Sequence, residues 1–267
     1  AGRIPSSRID IGTEWIQGDG RNLNSYSFQT YIHEIGHALG LGHAGDYNDD
    51  ATYISDAMYR NDSWAVSIMS YFDQQENSYF RDQGFTLNYV MSPQMADVLA
   101  MSMLYGLSTT TRLGDTTYGF NSNAGRAIFD ARQYSSGAYT IVDSGGNDTL
   151  DYSQFSSNQL INLNPNTFSN VGSNVGNVSI AAGTVIENAI GGSGNDRLIG
   201  NEAGNNLVGG AGDDQLSGAS GNDTLLGGSG NDWIFGGPGS DVMDGDAGFD
   251  VAFYDSFFRS STVAFVN

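Results

Sequence analysis

The sequence contains no cysteine and no lysine, and it is poor in basic residues. The lack of cysteine excludes disulfide scaffolds, thiolate metal sites and cysteine nucleophiles. Ten arginines face 30 acidic residues, which gives a formal net charge of −20. Binding to nucleic acid or to an anionic membrane surface requires cationic side chains. We therefore expect neither nucleic acid nor a membrane as a partner, and we expect bound cations to neutralise part of the carboxylate excess.

A long apolar run is also missing. No stretch of 18 apolar residues occurs, so no helix is expected to span a membrane. Hydrophobic residues make up 39% of the chain and aromatic residues 12%, which is enough for a packed core. Glycine is unevenly distributed, because 18 of the 37 glycines lie in residues 191–253. Such a local excess indicates either a flexible linker or a strict repeat.

Helix and strand signals divide the chain into two parts. A first helix is predicted from a cap at Asn24 or Ser25 to Gly40, and a second helix is predicted from Ser92–Pro93 to Gly106. After the second helix, short β-branched or aromatic runs alternate with Gly, Asn and Asp turns, which is typical of an all-β region.

A nine-residue repeat fills residues 191–253. The unit Gly191–Ile199 recurs seven times in one phase. The sixth position of each unit is acidic or amide: Asp196, Asn205, Asp214, Asp223, Asp232, Asp241 and Asp250. The eighth position is apolar: Leu198, Leu207, Leu216, Leu225, Ile234, Met243 and Ala252. A flexible linker would not keep an apolar residue in register seven times, so a linker is disfavoured.

The physical meaning of this period is a parallel β-roll. Each unit provides a six-residue glycine-rich turn, in which glycine permits positive φ, and a three-residue strand whose eighth position points inward. Two units complete one coil, so turns stack at 18-residue intervals. Stacked turns present backbone carbonyls and a carboxylate to the same gap, and such oxygen ligands suit Ca²⁺. This is the nonapeptide pattern of RTX proteins.

All three histidines of the chain lie in one eleven-residue window. His33 and His37 are one helical turn apart, so both imidazoles project from one face and can chelate Zn²⁺. Gly40 ends the helix in a turn that lets His43 return as a third ligand. Three protein ligands leave one position open for water, and Glu34 is placed to take a proton from that water. The alternative, a helix with incidental histidines, fits the full HExxHxxGxxH spacing poorly.

A methionine turn is predicted downstream, at Ser67–Tyr71. A single methionine in an apolar patch is usually a core residue. After this zinc motif, Met69 instead fits the metzincin pattern, in which a tight methionine turn lies beneath the metal.

Together these segments resemble the serralysin-type metalloproteases, secreted bacterial metzincins that carry RTX repeats. The matching segments are residues 33–43, Gly45–Asn48, Met69–Tyr71, Gly119–Asn123 and the repeats. The resemblance implies a zinc endopeptidase that is extracellular and monomeric, with protein or peptide substrates and a proteinaceous inhibitor as a further partner. It also implies that Tyr71 is an additional, movable zinc ligand that leaves the metal and donates a hydrogen bond to the transition-state oxyanion.

The implied fold is an α+β zinc-metalloprotease lobe followed by an all-β parallel β-roll. The metzincin-like lobe, lacking its N-terminal part, is assigned to residues 1–108, and the calcium-binding roll to residues 109–267, with the boundary near residues 106–110.

The resemblance implies calcium sites ahead of the repeats and within them. One upstream site uses the backbone at Arg112, Gly114 and Thr116 together with Asp143, Gly145 and Asp148. A second upstream site uses Gly146, Asp148, Val185 and Glu187. Within the repeats the expected ligands are Gly192, Gly194, Asp196, Asn201, Ala203, Asn205, Gly209, Gly210, Ala211, Gly212, Asp214, Gly218, Ala219, Ser220, Gly221, Asp223, Gly227, Gly228, Ser229, Gly230, Asp232, Gly236, Pro238, Asp241, Gly245, Ala247 and Asp250. Because Asn205 interrupts the Asp series, the site that pairs it with Asp223 is expected to be the weakest.

The chain departs from the family pattern in three respects. Ala44 replaces the proline that usually follows the third histidine, the chain begins 32 residues before His33, and it stops at Asn267 without an apolar C-terminal tail. We therefore expect a fragment truncated at both ends, or a minimal form. Two other functions remain open: a calcium-dependent binding module, and a protease fragment that binds zinc but is inactive.

Overall fold

The computed structural model describes residues 22–47 and 50–253, which form two compact units. The first unit contains the described residues up to Thr109 together with Ser136–Val142 and Asn174–Gly183. The second unit contains Thr110–Ser135, Asp143–Ser173 and the described residues from Thr184 onward. Two segments of the C-terminal half thus belong to the first unit, and the assignment of domains to residues 1–108 and 109–267 stays a prediction.

Four α-helices are described, all in the first unit. They are α1 (Tyr26–Ala38), α2 (Tyr53–Asp56), α3 (Ser78–Arg81) and α4 (Met95–Tyr105). The sequence patterns missed the one-turn helices α2 and α3, as well as a short 3₁₀ helix at Ala127–Phe129 in the second unit. Among the described residues, no helix combines the length and the apolar character that crossing a membrane requires.

Helix α1 begins and ends close to the predicted positions. Ser25 caps its first turn with the side-chain oxygen. The helix ends at Ala38, two residues before the predicted end, in a Schellman turn. Gly40 adopts φ +95° in this turn, and the N–H of Leu41 donates to the carbonyl of Gly36 at 3.0 Å. A residue with a Cβ is disfavoured at Gly40 because of this left-handed conformation.

Helix α4 begins later than predicted. The proposed cap and first residue were Ser92 and Pro93, but the helix begins at Met95. The physical reason is that the hydroxyl oxygen of Ser92 accepts a hydrogen bond from the N–H of Thr140 at 2.9 Å and does not cap the helix. The predicted end is confirmed, because the helix stops before Gly106, which has φ +90°.

Fourteen short strands are described after the helices. They are β1 (Thr117–Gly119), β2 (Tyr139–Ile141), β3 (Thr149–Asp151), β4 (Leu160–Asn162), β5 (Phe168–Ser169), β6 (Val178–Ile180), β7 (Asn188–Ile190), β8 (Arg197–Ile199), β9 (Asn206–Ala211), β10 (Gln215–Ser217), β11 (Thr224–Ser229), β12 (Trp233–Phe235), β13 (Val242–Ala247) and β14 (Val251–Phe253).

In the first unit, β2 pairs in parallel with β6. The core of this unit lies behind the histidine window. Its central buried residues are Ile68, Met69, Val90 and Ala138. Ile68 and Met69 of this cluster lie in the predicted methionine turn, and Ile32 of α1 packs against the cluster.

The second unit is built from two parallel sheets. One has the strand order β1-β3-β7-β9-β11-β13 and the other β14-β12-β10-β8-β4. Consecutive repeat units therefore contribute strands to opposite sheets. Within a sheet, paired residues of the repeats are 18 apart, as in Leu207↔Leu225 and Leu225↔Met243. This is the parallel β-roll that the nine-residue period predicts.

The interior of the roll contains the eighth position of each repeat. These side chains are almost fully buried: Leu198, Leu207, Leu216, Leu225, Ile234 and Met243. Each buried leucine contributes about 1.5–3 kcal/mol. The turns stack backbone on backbone, and at Gly210, which has φ +114°, an added Cβ would collide with the carbonyl oxygen of Gly192. Glycine is therefore required there by both conformation and space.

Candidate metal centre

The three histidines converge at one point of the first unit. One nitrogen from each ring lies within 4.8 Å of the others. The Nε2 atom of His43 is 3.3 Å from Nε2 of His33 and 2.9 Å from Nε2 of His37. Nitrogen ligands of a tetrahedral zinc ion, at about 2.0–2.1 Å from the metal, are about 3.3 Å apart. The spacing of these nitrogens therefore fits one zinc ion.

Backbone carbonyls determine which nitrogen of each ring carries the proton. The three Nδ1 atoms contact carbonyl oxygens: His33 with Ile68 at 2.8 Å, His37 with Leu41 at 3.0 Å, and His43 with Tyr47 at 2.6 Å. A carbonyl only accepts, so each Nδ1 must donate. In the neutral rings every Nε2 is then an acceptor, and acceptors do not hydrogen-bond to one another. A cation between them satisfies all three lone pairs.

Burial also favours the metal-binding form of the first histidine. Desolvation lowers the pKa of His33 below its ordinary value, and the neighbouring imidazoles of His37 and His43 act in the same direction. The hydrogen bond to Ile68 opposes this shift. A neutral imidazole at neutral pH is the form that binds a metal ion.

The methionine turn lies directly beneath the metal-site helix. Met69 is only 2% exposed. Its sulfur occupies the space that a Cβ on Gly36 would need. Gly36, between His33 and His37, thus allows the methionine turn to approach the helix. The HExxH motif accepts any residue at this position, and the close approach of Met69 explains why it is glycine here. The structure gives Met69 a packing role, and Gly40 the turn that follows the helix.

Two tyrosines flank the third histidine. The ring centroid of Tyr71 is 4.6 Å from that of His43 and 6.0 Å from that of His33. Tyr47 stacks on His43 at 5.6 Å, and its hydroxyl donates to the buried carboxylate of Asp62. Burial, followed by the charge of Asp62, raises the pKa of Tyr47 to about 12. Tyr47 therefore stays protonated, and its hydrogen bond to Asp62 anchors the residue whose carbonyl orients His43. Asn48, the next residue of the segment matched above, lies outside the described residues.

A cavity of about 350 Å³ opens beside the histidines. Glu34 is exposed, and it lines this cavity together with His33 and Tyr71. The remaining lining residues are Tyr26, Gln29, Thr30, Asp50, Ala51, Trp64, Ile68 and Ser70. The cavity brings a carboxylate, a phenol and a metal-site imidazole to one solvent-accessible space, which is what hydrolysis of a bound substrate needs.

Sequence patterns missed the groups that hold the ligands in place. The carbonyls of Ile68, Leu41 and Tyr47 carry no residue-specific signal. The buried acid Asp97, on α4, is 3% exposed and accepts hydrogen bonds from the methionine turn. Burial raises the pKa of Asp97, and its hydrogen bonds oppose that rise. A single acid in the mostly apolar run Met95–Leu104 was the available signal.

The predicted calcium residues of the repeats lie in rows along the roll. The carboxylate oxygen Oδ1 of each later Asp accepts from the N–H of the sixth-position residue 18 earlier: Asp214 from Asp196 at 2.7 Å, Asp223 from Asn205 at 2.7 Å, Asp232 from Asp214 at 2.8 Å, Asp241 from Asp223 at 3.0 Å, and Asp250 from Asp232 at 3.0 Å. The other oxygen, Oδ2, is buried without a hydrogen-bond partner in Asp214, Asp223, Asp232 and Asp241.

These unpartnered oxygens face backbone carbonyls. At Gly209, Oδ2 of Asp214 and the carbonyl oxygen of Gly227 both lie against the position that a Cβ atom would occupy. The same arrangement recurs at Gly218, with Asp223 and Gly236. A buried carboxylate oxygen beside a carbonyl oxygen is unfavourable without a cation, and Ca²⁺ accepts both as ligands. The turns therefore have a donor set that fits calcium.

Burial makes several of these carboxylates hard to ionise. Desolvation raises the pKa of Asp214 to about 7 and that of Asp223 to about 6. Neighbouring carboxylates add to the rise, for example Asp232 beside Asp214. Desolvation also raises the pKa of Asp196.

The second repeat unit differs from the others. Asn205 replaces Asp, and its amide is fully engaged: Oδ1 accepts from the N–H of Asn201 at 2.8 Å, and Nδ2 donates to the carbonyl of Glu187 at 3.0 Å. Asn201 in turn donates to the carbonyl of Ile186 at 2.7 Å. Hydrogen bonds here satisfy a position at which several other repeats have an unpartnered carboxylate oxygen. The expectation of a weak site at Asn205 stays a prediction.

The upstream turn resembles the repeats at Asp148. This residue is fully buried; its Oδ1 accepts from the N–H of Thr116 at 2.8 Å, and its Oδ2 has no hydrogen-bond partner. Its N–H donates to Glu187 at 2.8 Å, and the carbonyl of Gly114 lies against Gly146. Burial raises the pKa of Asp148 to about 6. Residues from both predicted upstream sites therefore meet around Asp148.

Asp143 is arranged differently from Asp148. Its Oδ2 accepts from the hydroxyl of Tyr118 at 2.6 Å and is 3.7 Å from Arg112, while its Oδ1 accepts from the N–H of Gly145 at 3.1 Å. Both oxygens thus have partners, so Asp148 is the better candidate for a calcium ligand of the two. The side chain of Val185 is exposed.

Within residues 22–47 and 50–253, only the histidine cluster brings three His, Asp or Glu ligand atoms together. The predicted calcium ligands of the roll are consequently one carboxylate from each turn supplemented by carbonyls. No acidic triad is involved.

Comparison with known proteins covers both parts of the chain. The family model described as "Peptidase M10 serralysin C terminal" matches residues 107–265, more than half of the chain. The model described as "Peptidase M66" matches residues 16–85, which include the histidine window.

Individual relatives agree with the first match. "Metallopeptidase AprA" of Pseudomonas marginalis is 49% identical over 178 residues, covering 66% of this chain and 37% of its own length. "Serralysin C" of Dickeya chrysanthemi is 45% identical over 203 residues (73% of this chain and 41% of its own). "Serralysin" of Photorhabdus laumondii is 50% identical over 203 residues (72% and 41%). The chain thus spans about two fifths of the length of these relatives. The family expected from the histidine window and the repeats is confirmed: the chain belongs to the serralysin family of metallopeptidases.

Proposed function

We propose that this chain acts as a secreted, zinc-dependent endopeptidase of bacterial origin that hydrolyses peptide bonds in proteins, with a β-roll stabilised by calcium. The first unit would supply part of an α+β lobe of metzincin type. Its substrates are proteins or peptides, and a monomer with an inhibitor protein as a further partner is proposed by analogy with the family.

One observation carries the zinc part of the proposal. The Nε2 atoms of His33, His37 and His43 face one another, while their Nδ1 atoms donate to carbonyls. Proteins commonly hold zinc in this way, with the second ring nitrogen bonded to a backbone or carboxylate group. When bound, zinc would supply a Lewis acid that polarises the substrate carbonyl and lowers the pKa of water.

Glu34 is the proposed general base and acid. Its carboxylate follows His33 and lines the cavity, where it would accept a proton from the attacking water and return it to the departing amine nitrogen. Asp50 is the second carboxylate that lines the cavity, so it is the competing candidate.

Tyr71 is proposed as a hydrogen-bond donor to the developing oxyanion and as an additional zinc ligand in the resting state. Its ring packs against those of His43 and Tyr47, at 4.6 Å and 4.7 Å between centroids. The side chain is half-buried and lines the cavity beside the histidines.

Tyr71→Phe is expected to lower kcat on the order of 10²-fold, the usual effect of removing one oxyanion donor. Zinc affinity should change little, because three histidines remain. Steady-state kinetics and a chelator competition measure the two effects. Tyr31→Phe, on an exposed tyrosine of α1, is the matched control. Loss of zinc with unchanged turnover per bound metal would reverse the assignment.

For the roll we propose calcium as a structural ion at each stacked turn, held by one Asp carboxylate from each turn and by backbone carbonyls. The buried, unpartnered Oδ2 atoms of the repeat aspartates and of Asp148 support this proposal. The proposed ligands are those expected from the sequence. Of the two upstream aspartates, we propose Asp148 as the stronger ligand, because its Oδ2 has no hydrogen-bond partner.

The metal-free roll is expected to lose stability as pH rises from about 4 to about 7. The folded-state pKa values of Asp214, Asp223 and Asp148 lie above the ordinary 3.8, at about 7, 6 and 6. The folded state therefore binds these protons more tightly than the unfolded state, and ionisation favours unfolding. In calcium-free buffer, far-ultraviolet circular dichroism should show more β-structure at pH 4.5 than at pH 7.5. Calcium should remove this difference, and a metal-free β signal that grows with pH contradicts the proposal.

Turnover of a denatured protein at known zinc occupancy tests the proposed activity. Hydrolysis in proportion to bound zinc, abolished by chelation, is the expected result. Full zinc occupancy without hydrolysis would instead establish a zinc-binding but inactive form. This alternative is tested because the chain spans about two fifths of the length of its relatives. A chain that binds calcium but no zinc would be a calcium-dependent binding module.

A further inference from the structure

We propose that Asp97 is a positioning residue for His33: its buried carboxylate fixes the methionine turn so that the carbonyl of Ile68 holds the histidine in its metal-binding tautomer. The expected effect on metal binding rests on the proposed zinc site. The hydrogen bonds from Asp97 to the methionine turn are present without a metal ion.

The carboxylate of Asp97 is bonded on both oxygens. It lies in the first turn of α4 and is 3% exposed. Oδ2 accepts from the N–H of Ile68 at 2.8 Å and from the N–H of Gln94 at 2.8 Å. Oδ1 accepts from the hydroxyl of Ser67 at 2.6 Å. A buried carboxylate is costly unless it is hydrogen-bonded, and two of these three donors belong to the methionine turn.

A continuous path leads from Asp97 to the histidine. Since the Ser67 hydroxyl donates its proton to Asp97, its oxygen is oriented to accept from the N–H of Met69, at 3.1 Å. That N–H belongs to the same planar peptide group as the carbonyl of Ile68. The carbonyl accepts from Nδ1 of His33 at 2.8 Å. The carboxylate therefore fixes the peptide group that orients the ring.

A second path reinforces the first. The N–H of Ile68 is held directly by Oδ2, so the peptide groups on both sides of the Ile68 Cα are restrained. A rotation of the Ile68–Met69 peptide group that turned the carbonyl away from His33 would break the hydrogen bond from the N–H of Met69 to Ser67. The hydrogen bond from the N–H of Ile68 to Asp97 fixes the preceding peptide group, from which that rotation would start. Without the carbonyl, His33 could place its proton on Nε2, and that nitrogen would no longer bind a metal ion.

The other two histidines have different supports. The carbonyl partner of His37 is Leu41, in the Schellman turn that ends α1, and that of His43 is Tyr47, which is anchored to Asp62. Loss of Asp97 should therefore affect His33 selectively. This selectivity separates a positioning role from a general contribution to folding.

The experiment uses the 267-residue chain and its three histidines, whose ring signals can be assigned one by one. Long-range ¹H–¹⁵N correlation spectra of the metal-free protein report the tautomer of each ring. In the parent, all three should be protonated at Nδ1 near neutral pH. Asp97→Ala should shift His33 toward protonation at Nε2 and leave His37 unchanged.

Zinc affinity is the second readout. Loss of a group that orients a metal ligand typically costs 10–100-fold in affinity. We expect Asp97→Ala and Ser67→Ala each to raise the zinc Kd by about tenfold, the lower end of that range, in competition with a chelating indicator. Asp97→Asn keeps an amide oxygen that can accept from Ile68 and Gln94, so it should restore much of the affinity.

Gln74→Ala is the matched control. Gln74 is 2% exposed and exchanges side-chain hydrogen bonds with the backbone of Asn88 in the same unit, with no connection to a histidine in the described residues. It should lower the unfolding temperature but leave the tautomers and the zinc Kd at parental values.

The outcomes are distinguishable. If Asp97→Ala only lowers the unfolding temperature, as Gln74→Ala does, with His33 still protonated at Nδ1 and the zinc Kd unchanged, the proposal is overturned. Should Asp97→Ala fail to fold, Ser67→Ala decides by the same two readouts, and parental values for both would overturn the proposal. A parent chain that binds no zinc contradicts the proposed function, whereas the tautomer measurement needs no metal and still decides the role of Asp97.

Discussion

Glu34→Gln is expected to lower kcat for protein hydrolysis by between about 10² and 10⁴-fold while zinc stays bound. Glutamine has the size of glutamate but cannot accept the proton of the attacking water. His33, His37 and His43 are unchanged in this variant, so the zinc Kd should remain within experimental error of the parent. Active-site titration with zinc, followed by single-turnover hydrolysis of a denatured protein, separates binding from chemistry.

Two further variants sharpen this test. Glu76→Gln makes the same chemical change at an exposed residue of the same unit, whose carboxylate accepts from the N–H of Asp73 at 3.1 Å, and should leave kcat unchanged. Asp50→Asn removes the other carboxylate of the cavity. If Asp50→Asn loses activity and Glu34→Gln does not, the general base is Asp50. If both variants retain the parental rate, the proposal that a carboxylate of this cavity acts as the general base is wrong.

Local spacing explains why the histidine site could be predicted. Residues four apart on a helix share a face, and the glycine at position 40 fits a left-handed turn, so the order of residues 33–43 already requires that the three imidazoles approach one another. The same holds for the roll, since each nine-residue unit repeats one local conformation. Predictions of this kind depend on short-range geometry, which the sequence contains.

Long-range hydrogen bonds explain what could not be predicted. The carbonyl of Ile68 that orients His33 is a backbone group, and 35 residues separate the two partners. Asp97 reaches the methionine turn from 29 residues away. Ser92 fits a helix cap by its local sequence, but its hydroxyl serves Thr140, 48 residues further on. No local pattern contains these pairings, because the fold brings the partners together.

Long-range contacts also determine which segments of the chain belong to which unit. Residues 136–142 and 174–183 resemble the strands and turns of the roll in composition, but they belong to the first unit, where β2 and β6 pair. A fragment beginning near residue 109 would keep both segments but lose their hydrogen bonds to the rest of the first unit, for example those of Ala138 with Tyr89 and Met91. Experiments on the roll should use the whole chain.

Calcium removal is expected to unfold the roll of the whole chain at neutral pH. Residues 191–253 contain ten acidic residues and one arginine, a net charge of −9. Carboxylates one coil apart are separated by roughly 4.8 Å, the spacing of neighbouring strands. At an effective dielectric constant of about 20, such a pair repels by about 3 kcal/mol. The buried Oδ2 atoms without partners in Asp214, Asp223, Asp232 and Asp241 add a desolvation cost at their turns.

Each calcium ion removes these costs and connects two coils, so binding and folding should form one transition. Hydrogen exchange followed by mass spectrometry resolves the two units in one sample. Peptides from residues 191–253 should be protected in calcium and fully exchanged in excess chelator. Magnesium should not restore protection, because it demands a small octahedral site and retains its water.

The contrast between two neighbouring aspartates makes this test specific. Asp214 is buried with an unpartnered Oδ2, whereas Asp213 is exposed and accepts from the N–H of Asn231 at 2.8 Å. Asp214→Asn and Asp213→Asn remove the same charge one position apart. Only the first should raise the calcium concentration needed for protection, because only Asp214 offers an oxygen to the gap between turns. Equal effects of the two variants would mean that calcium acts by screening the net charge, and persistent protection in chelator would show that the roll folds without it.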